Sequence, residues 1–147
     1  MKHTSFPKRF WTNVRDLIRR HCGSEPVDKY AVAVLPTGLS VTLDTCRGPR
    51  GRLEAWSVEW SEISSVLAFK TDNFAYDTIW IAVFPTFVSE EGVARILIPD
   101  DADGWEDALR SLPEHLAGCE PFEEWFGPVA FPPFVTNRRV IYERKAA

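Results

Sequence analysis

The stretch Leu53–Phe84, LEAWSVEWSEISSVLAFKTDNFAYDTIWIAVF, decides the fold. Leu53 to Trp60 alternates, with Trp56, Val58 and Trp60 on one face and Ser57 and Glu59 on the other. That is the period of a half-buried strand. Ile63 to Lys70 predicts a second strand, and Thr71 to Tyr76 a turn. Thr78 to Phe84 (TIWIAVF) is apolar on both sides, which suits a central strand covered on both faces. Pro85 ends it, because proline offers no N–H to a ladder.

Working outward, Tyr30–Leu35 and Leu39–Leu43 flank Pro36-Thr37-Gly38 and predict a β-hairpin. Asp44 to Arg52 (DTCRGPRGR) is a loop, and Val93 to Ile98 (VARILI) predicts a further strand. Short connections between consecutive strands favour antiparallel pairing across residues 30–98.

Helical spacing appears on either side. In residues 4–23, Phe10, Trp11, Val14, Leu17 and Ile18 form one apolar stripe, with Ser5 placed to cap the start and Gly23 the end. In residues 100–117, Trp105, Ala108, Leu109 and Leu112 have the same spacing after Asp100, Asp101 and Asp103, acids suited to capping a helix start. Pro113 is expected to open a second short helical turn ending near Gly118. Residues 119–147 are expected to be an extended tail packed on the domain. Gly127–Phe134 (GPVAFPPF) would be polyproline-like and Arg138–Arg144 strand-like. The whole chain, residues 1–147, thus reads as one α+β domain. It combines a bent antiparallel sheet or partial β-barrel, a C-terminal capping helix, an N-terminal helix and an extended packed tail.

The chain has 147 residues, 45% of them hydrophobic and 26% charged, with a formal net charge of -4. This composition excludes a disordered chain and a globally basic nucleic-acid binder. The mean charge conceals segregation. Residues 1–22 carry six cationic residues against Asp16, a net +5, whereas residues 100–124 carry nine acids against Arg110, a net -8. Arg15, Arg19 and Arg20 on the basic helix face are candidate binding residues for an acidic protein, with an anionic membrane or nucleic acid as less favoured partners. Solvation or pairing inside the chain is the simpler reading of that face. Arg47 and Arg50 in the glycine- and proline-containing loop are further candidates. Aromatic residues make up 13%, six of them Trp, and most suit core positions. Trp11 and Trp125 lie in the added elements and are expected to pin them; either would become an interface anchor if exposed.

Catalytic and metal patterns fail on their spacing. The acidic turn Asp100–Gly104 would place Pro99 and Arg110 where a calcium loop needs carboxylates. His115 and Cys119 are spaced i, i+4, but Gly118 interrupts the helix that would align them, and zinc needs about four ligands. Cys46, beside Arg47, is the best-placed thiol for a nucleophile and defines the alternative reading, a small enzyme with its site at Asp44–Arg52. Asp72 and Asp77 bracket a turn, where aspartates cap backbone amides. No catalytic residue, metal or cofactor is therefore expected. Three cysteines without CxxC spacing suggest free thiols. Met1-Lys2-His3 has no apolar stretch behind it to form a signal, and no apolar run is long enough to span a bilayer. A cytoplasmic protein is expected.

Trp60-Ser-Glu-Ile63, Phe69-Lys70-Thr-Asp72, Asp77-Thr-Ile79, Ile96-Leu-Ile98 and the helix from Asp100 to Leu112 together resemble the pleckstrin-homology-like fold. The pattern W-x-x-I, K-x-D, D-x-I with an acidic turn and helix is similar to that of small uncharacterised bacterial proteins. The resemblance covers Tyr30 to Leu116. It implies a partly open antiparallel barrel closed by a helix, and a role as an immunity protein or interaction module. The expected function is a non-catalytic protein-binding module, with an immunity-type inhibitor as one concrete form.

Overall fold

Two antiparallel sheets share one apolar core in the computed structural model, which describes residues 28–45, 51–86 and 95–146. β1 (Lys29–Val34), β2 (Gly38–Thr45) and β3 (Arg52–Glu59) form a three-stranded meander. β4 (Ile63–Asp72), β5 (Asp77–Pro85), β6 (Ile96–Pro99) and β7 (Arg138–Glu143) form a four-stranded sheet in the order β6-β5-β4-β7. Helices α1 (Trp105–His115) and α2 (Phe122–Ala130) lie between β6 and β7 in sequence. The α+β class and the antiparallel pairing match the sequence reading.

The continuous bent sheet separates into two because the ladder breaks at Trp60–Glu62, a single 3-10 turn. There the Glu59 N–H donates to the Glu62 carboxylate at 3.2 Å, a capping box that starts a turn instead of continuing a strand. The sheets do not close into a barrel. The described bridge at the β1 edge is a parallel contact between Ala31 and Asp103.

Strand alternation delivers the core. Val66 and Ala68 on β4 pair in register with Val83 and Ile81 on β5, and all four are fully buried or nearly so. Val41, Leu39 and Val58 supply the facing sheet, and Ala108, Leu109 and Leu112 the buried stripe of α1. β5 is central and buried on both faces, as Ile81, Ala82 and Val83 show. His115 lies at the end of α1, where its ring stacks on Trp60 at a centroid distance of 4.4 Å.

The acidic turn does something other than cap α1. Gly104 occupies the N-cap with φ 84, and no side chain caps the helix. The residues before it seal the β1 edge: Val32 N–H donates to Asp103 O at 2.8 Å and Asp103 N–H to Tyr30 O at 3.0 Å. A Cβ at Gly104 would lie 2.1 Å from Val32 O, so the close approach and the positive φ both require glycine.

The C-terminal region departs most from expectation. α1 runs through Pro113 without restarting, since a proline in its final turn removes one backbone bond near an end that is already open. Residues 122–130 are helical, not polyproline-like, and Pro128 lies inside that helix. Phe122, Trp125, Phe126 and Val129 fall at i, i+3, i+4 and i+7, and Trp125 and Val129 are each 1% exposed. Burial of this stripe against β4 and β7 outweighs the penalty of Gly127 and Pro128. The predicted strand at the end of the chain is β7. The predicted N-terminal helix, residues 4–23, lies outside the described residues.

Candidate functional site

Lys70 occupies a core position of β4, in phase with Val66 and Ala68. Its side chain is 1% exposed, and its ammonium is met on three sides. Nζ donates to Ala130 O at 2.9 Å and to Pro132 O, and lies 3.2 Å from Asp77 Oδ2. A buried ammonium requires such a complete set of acceptors, because desolvation without partners would neutralise or expel it. Lys70 thereby ties the C-terminal end of α2 and the following loop to the β4–β5 hairpin.

That hairpin turn and the loop 131–135 form one end of the molecule. Phe134 N–H donates to Asp77 Oδ2 at 3.0 Å, so one carboxylate oxygen serves both the lysine and the loop. Asn137 anchors the loop from the other side, donating through Nδ2 to Phe131 O at 2.9 Å, while Lys70 N–H donates to Asn137 O at 2.9 Å. The Phe131–Pro132 bond is cis. In the hairpin turn, Asp72 Oδ1 accepts the Phe74 N–H at 2.9 Å, Asn73 N–H donates to Tyr76 O at 3.0 Å, and Asn73 Nδ2 donates to Thr78 Oγ1 at 2.7 Å. Asp72 caps the turn as expected. Asp77 instead serves the buried lysine.

These two fixed loops present aromatic side chains to solvent. Phe74 is 98% exposed, Phe134 57%, Phe131 52% and Tyr76 48%. Val135 is exposed beside them. Among the described residues, Phe74 and Phe134 are the two non-glycine residues with positive φ, at 66° and 59°. Glycine or asparagine adopts this region cheaply, whereas a bulky side chain pays for it. An end that spends backbone strain to expose phenylalanine is a candidate for function.

No protein-family model matches the chain, nor does any curated protein or solved structure.

The remaining predicted positions fall as follows. Trp11, Arg15, Arg19 and Arg20, and likewise Arg47, Arg50 and Cys46, lie outside the described residues. Trp125 is 1% exposed, so it pins α2 to the sheet and offers no surface anchor. Cys119 is buried, and burial, then the nearby Glu120 carboxylate, push its thiol up to about 11; this favours the protonated form and not a nucleophilic thiolate. No cluster of three or more metal-ligating side chains occurs among the described residues, and no described helix is long and apolar enough to cross a membrane. Sequence reasoning missed the aromatic end. Its signals were two aromatic residues, Phe74 and Tyr76, inside the turn bracketed by Asp72 and Asp77, and a lysine on the buried phase of a strand.

Proposed function

We propose that this chain is a non-catalytic protein-binding module whose contact face is the aromatic end. The observation that carries the reading is the exposure of Phe74 and Phe134 in left-handed backbone on two loops fixed by Asp72, Lys70 and Asp77. Rigid aromatic anchors favour binding because little freedom is lost on contact. The wider fold proposal is pleckstrin-homology-like, supported by two antiparallel sheets with helix α1 following β6. An immunity-type inhibitor is the concrete form that the resemblance suggests.

Photo-crosslinking tests the reading. A benzophenone side chain at Ala75, between Phe74 and Tyr76, is expected to capture a protein in the native cell. The adduct should disappear when F134D is added. Absence of any protein adduct, or an adduct insensitive to F134D, overturns the proposal.

A further inference from the structure

We infer that the occupant of the aromatic end is a second copy of this chain, packed face to face about a two-fold axis; this rests on the protein-binding reading above. Area, charge and rigidity carry the inference. From their fractional exposures, the aromatic side chains and Val135 present roughly 600 Å² of surface, given the 150–250 Å² that a large aromatic can bury. Pro132 and Pro133, exposed in the same loop, extend it toward the roughly 800 Å² that each partner gives to a standard interface. A patch of this size stands at the upper end of what a monomer's surface leaves bare, where the largest patch is often functional.

The charge distribution suits self-pairing. Glu123 and Glu124 lie in the first turn of α2, at the end opposite Ala130 and Lys70. Bringing two aromatic ends together therefore keeps those acids away from the seam. The exposed charges flanking the patch are Asp72, at the base of the hairpin turn, and Arg138, which follows the Asn137 that anchors the loop. In an isologous contact each surface meets its own copy, so Asp72 of one molecule can face Arg138 of the other, twice over. Both loops are held by hydrogen bonds to Asp72, Asp77 and Asn137, so association orders little that is not already ordered.

Sedimentation velocity on the purified full chain, over about a hundredfold range of concentration, tests this. The expected result is a concentration-dependent monomer–dimer equilibrium that F74D and F134D shift to monomer. Phe74 is almost fully exposed, so F74D should retain the native circular dichroism spectrum. R138D leaves the Asp72 cap on Phe74 intact and places a like charge opposite Asp72 of the second copy, so it should weaken association by about tenfold. A chain monomeric throughout, or a dimer indifferent to F74D, overturns the inference. So does a monomer that floats with neutral phosphatidylcholine vesicles in a Phe74-dependent way. A monomer that still gives a Phe134-dependent adduct to a different protein at position 75 removes the second copy and leaves the binding reading standing. A monomer with no protein adduct removes both.

Discussion

Lys70 Nζ and Asp77 Oδ2 lie 3.2 Å apart in an almost solvent-free setting, and the same carboxylate oxygen holds the backbone of Phe134. This pair joins the hairpin to the end of α2 and is the internal support of the aromatic end. A buried pair need not add stability over a well-packed apolar pair, but removing one partner strands the other's charge. Asp77→Asn should cost about 3 kcal/mol in urea denaturation. The amide hydrogens of Phe134 and Val135 should also exchange faster, because the Phe134 N–H loses its carboxylate acceptor. An unchanged exchange pattern would show that Asn137 and Lys70 hold the loop without the Asp77 carboxylate.

Phe74 carries the opposite kind of energetics. At 98% exposure its ring buries nothing, while its φ of 66° is costly for a bulky side chain. Asn tolerates this backbone region, so Phe74→Asn should raise the unfolding free energy by about 0.5–1 kcal/mol. The same variant should lose binding at the aromatic end. Stability gained with function lost is the signature of strain retained for contact. A fall in stability would mean that the ring packs in solution.

The strands were legible from their β-branched and aromatic runs and, in Leu53–Trp60, from period-two alternation. Trp56 and Val58 could be assigned to one face of that strand from sequence alone. α2 was hidden because Gly127, Pro128, Pro132 and Pro133 dominate local propensity, while the Phe122–Val129 stripe acts only through tertiary burial. The Lys70–Asp77 pair was illegible for a related reason. Its meaning depends on Ala130 O and Pro132 O, which are supplied by a segment about sixty residues away. Phe74 could have been flagged from its place in a turn, but its positive φ and exposure are properties of the folded chain.

Trp125 measures how much α2 contributes. Its ring is fully buried, meets Phe122 edge-on at 5.3 Å, and lies on the helix that delivers Ala130 O to Lys70. Trp125→Ala should cost about 3–5 kcal/mol through lost burial and the cavity left behind. Because α2 positions the 131–135 loop, a Phe134-dependent interaction should weaken in the same variant under conditions where it remains folded. Small destabilisation, under about 1 kcal/mol, would show that α2 is peripheral to the core.

Cys119 makes alkaline stability a test of its burial. The folded thiol is pushed up to about 11 from an ordinary value of 9.0, first by burial and then by the Glu120 carboxylate. The folded state therefore holds its proton more tightly than the unfolded chain. The stabilisation this contributes is fully present below pH 9 and is lost as pH rises from 9 toward 11. The urea midpoint of the wild-type chain should fall more steeply across that window than that of Cys119→Ala. Tyr30, also raised by burial, titrates in both proteins and cancels in the comparison. Thiol alkylation should give the matching kinetic result, with Cys119 protected in the native state and reactive once the chain is unfolded in urea. Parallel pH profiles, or rapid native alkylation of Cys119, would show that the 119–121 segment opens readily. The hydrogen bond from Glu120 N–H to Ile141 O at 2.8 Å, at the edge of β7, would then be a poor seal for that strand.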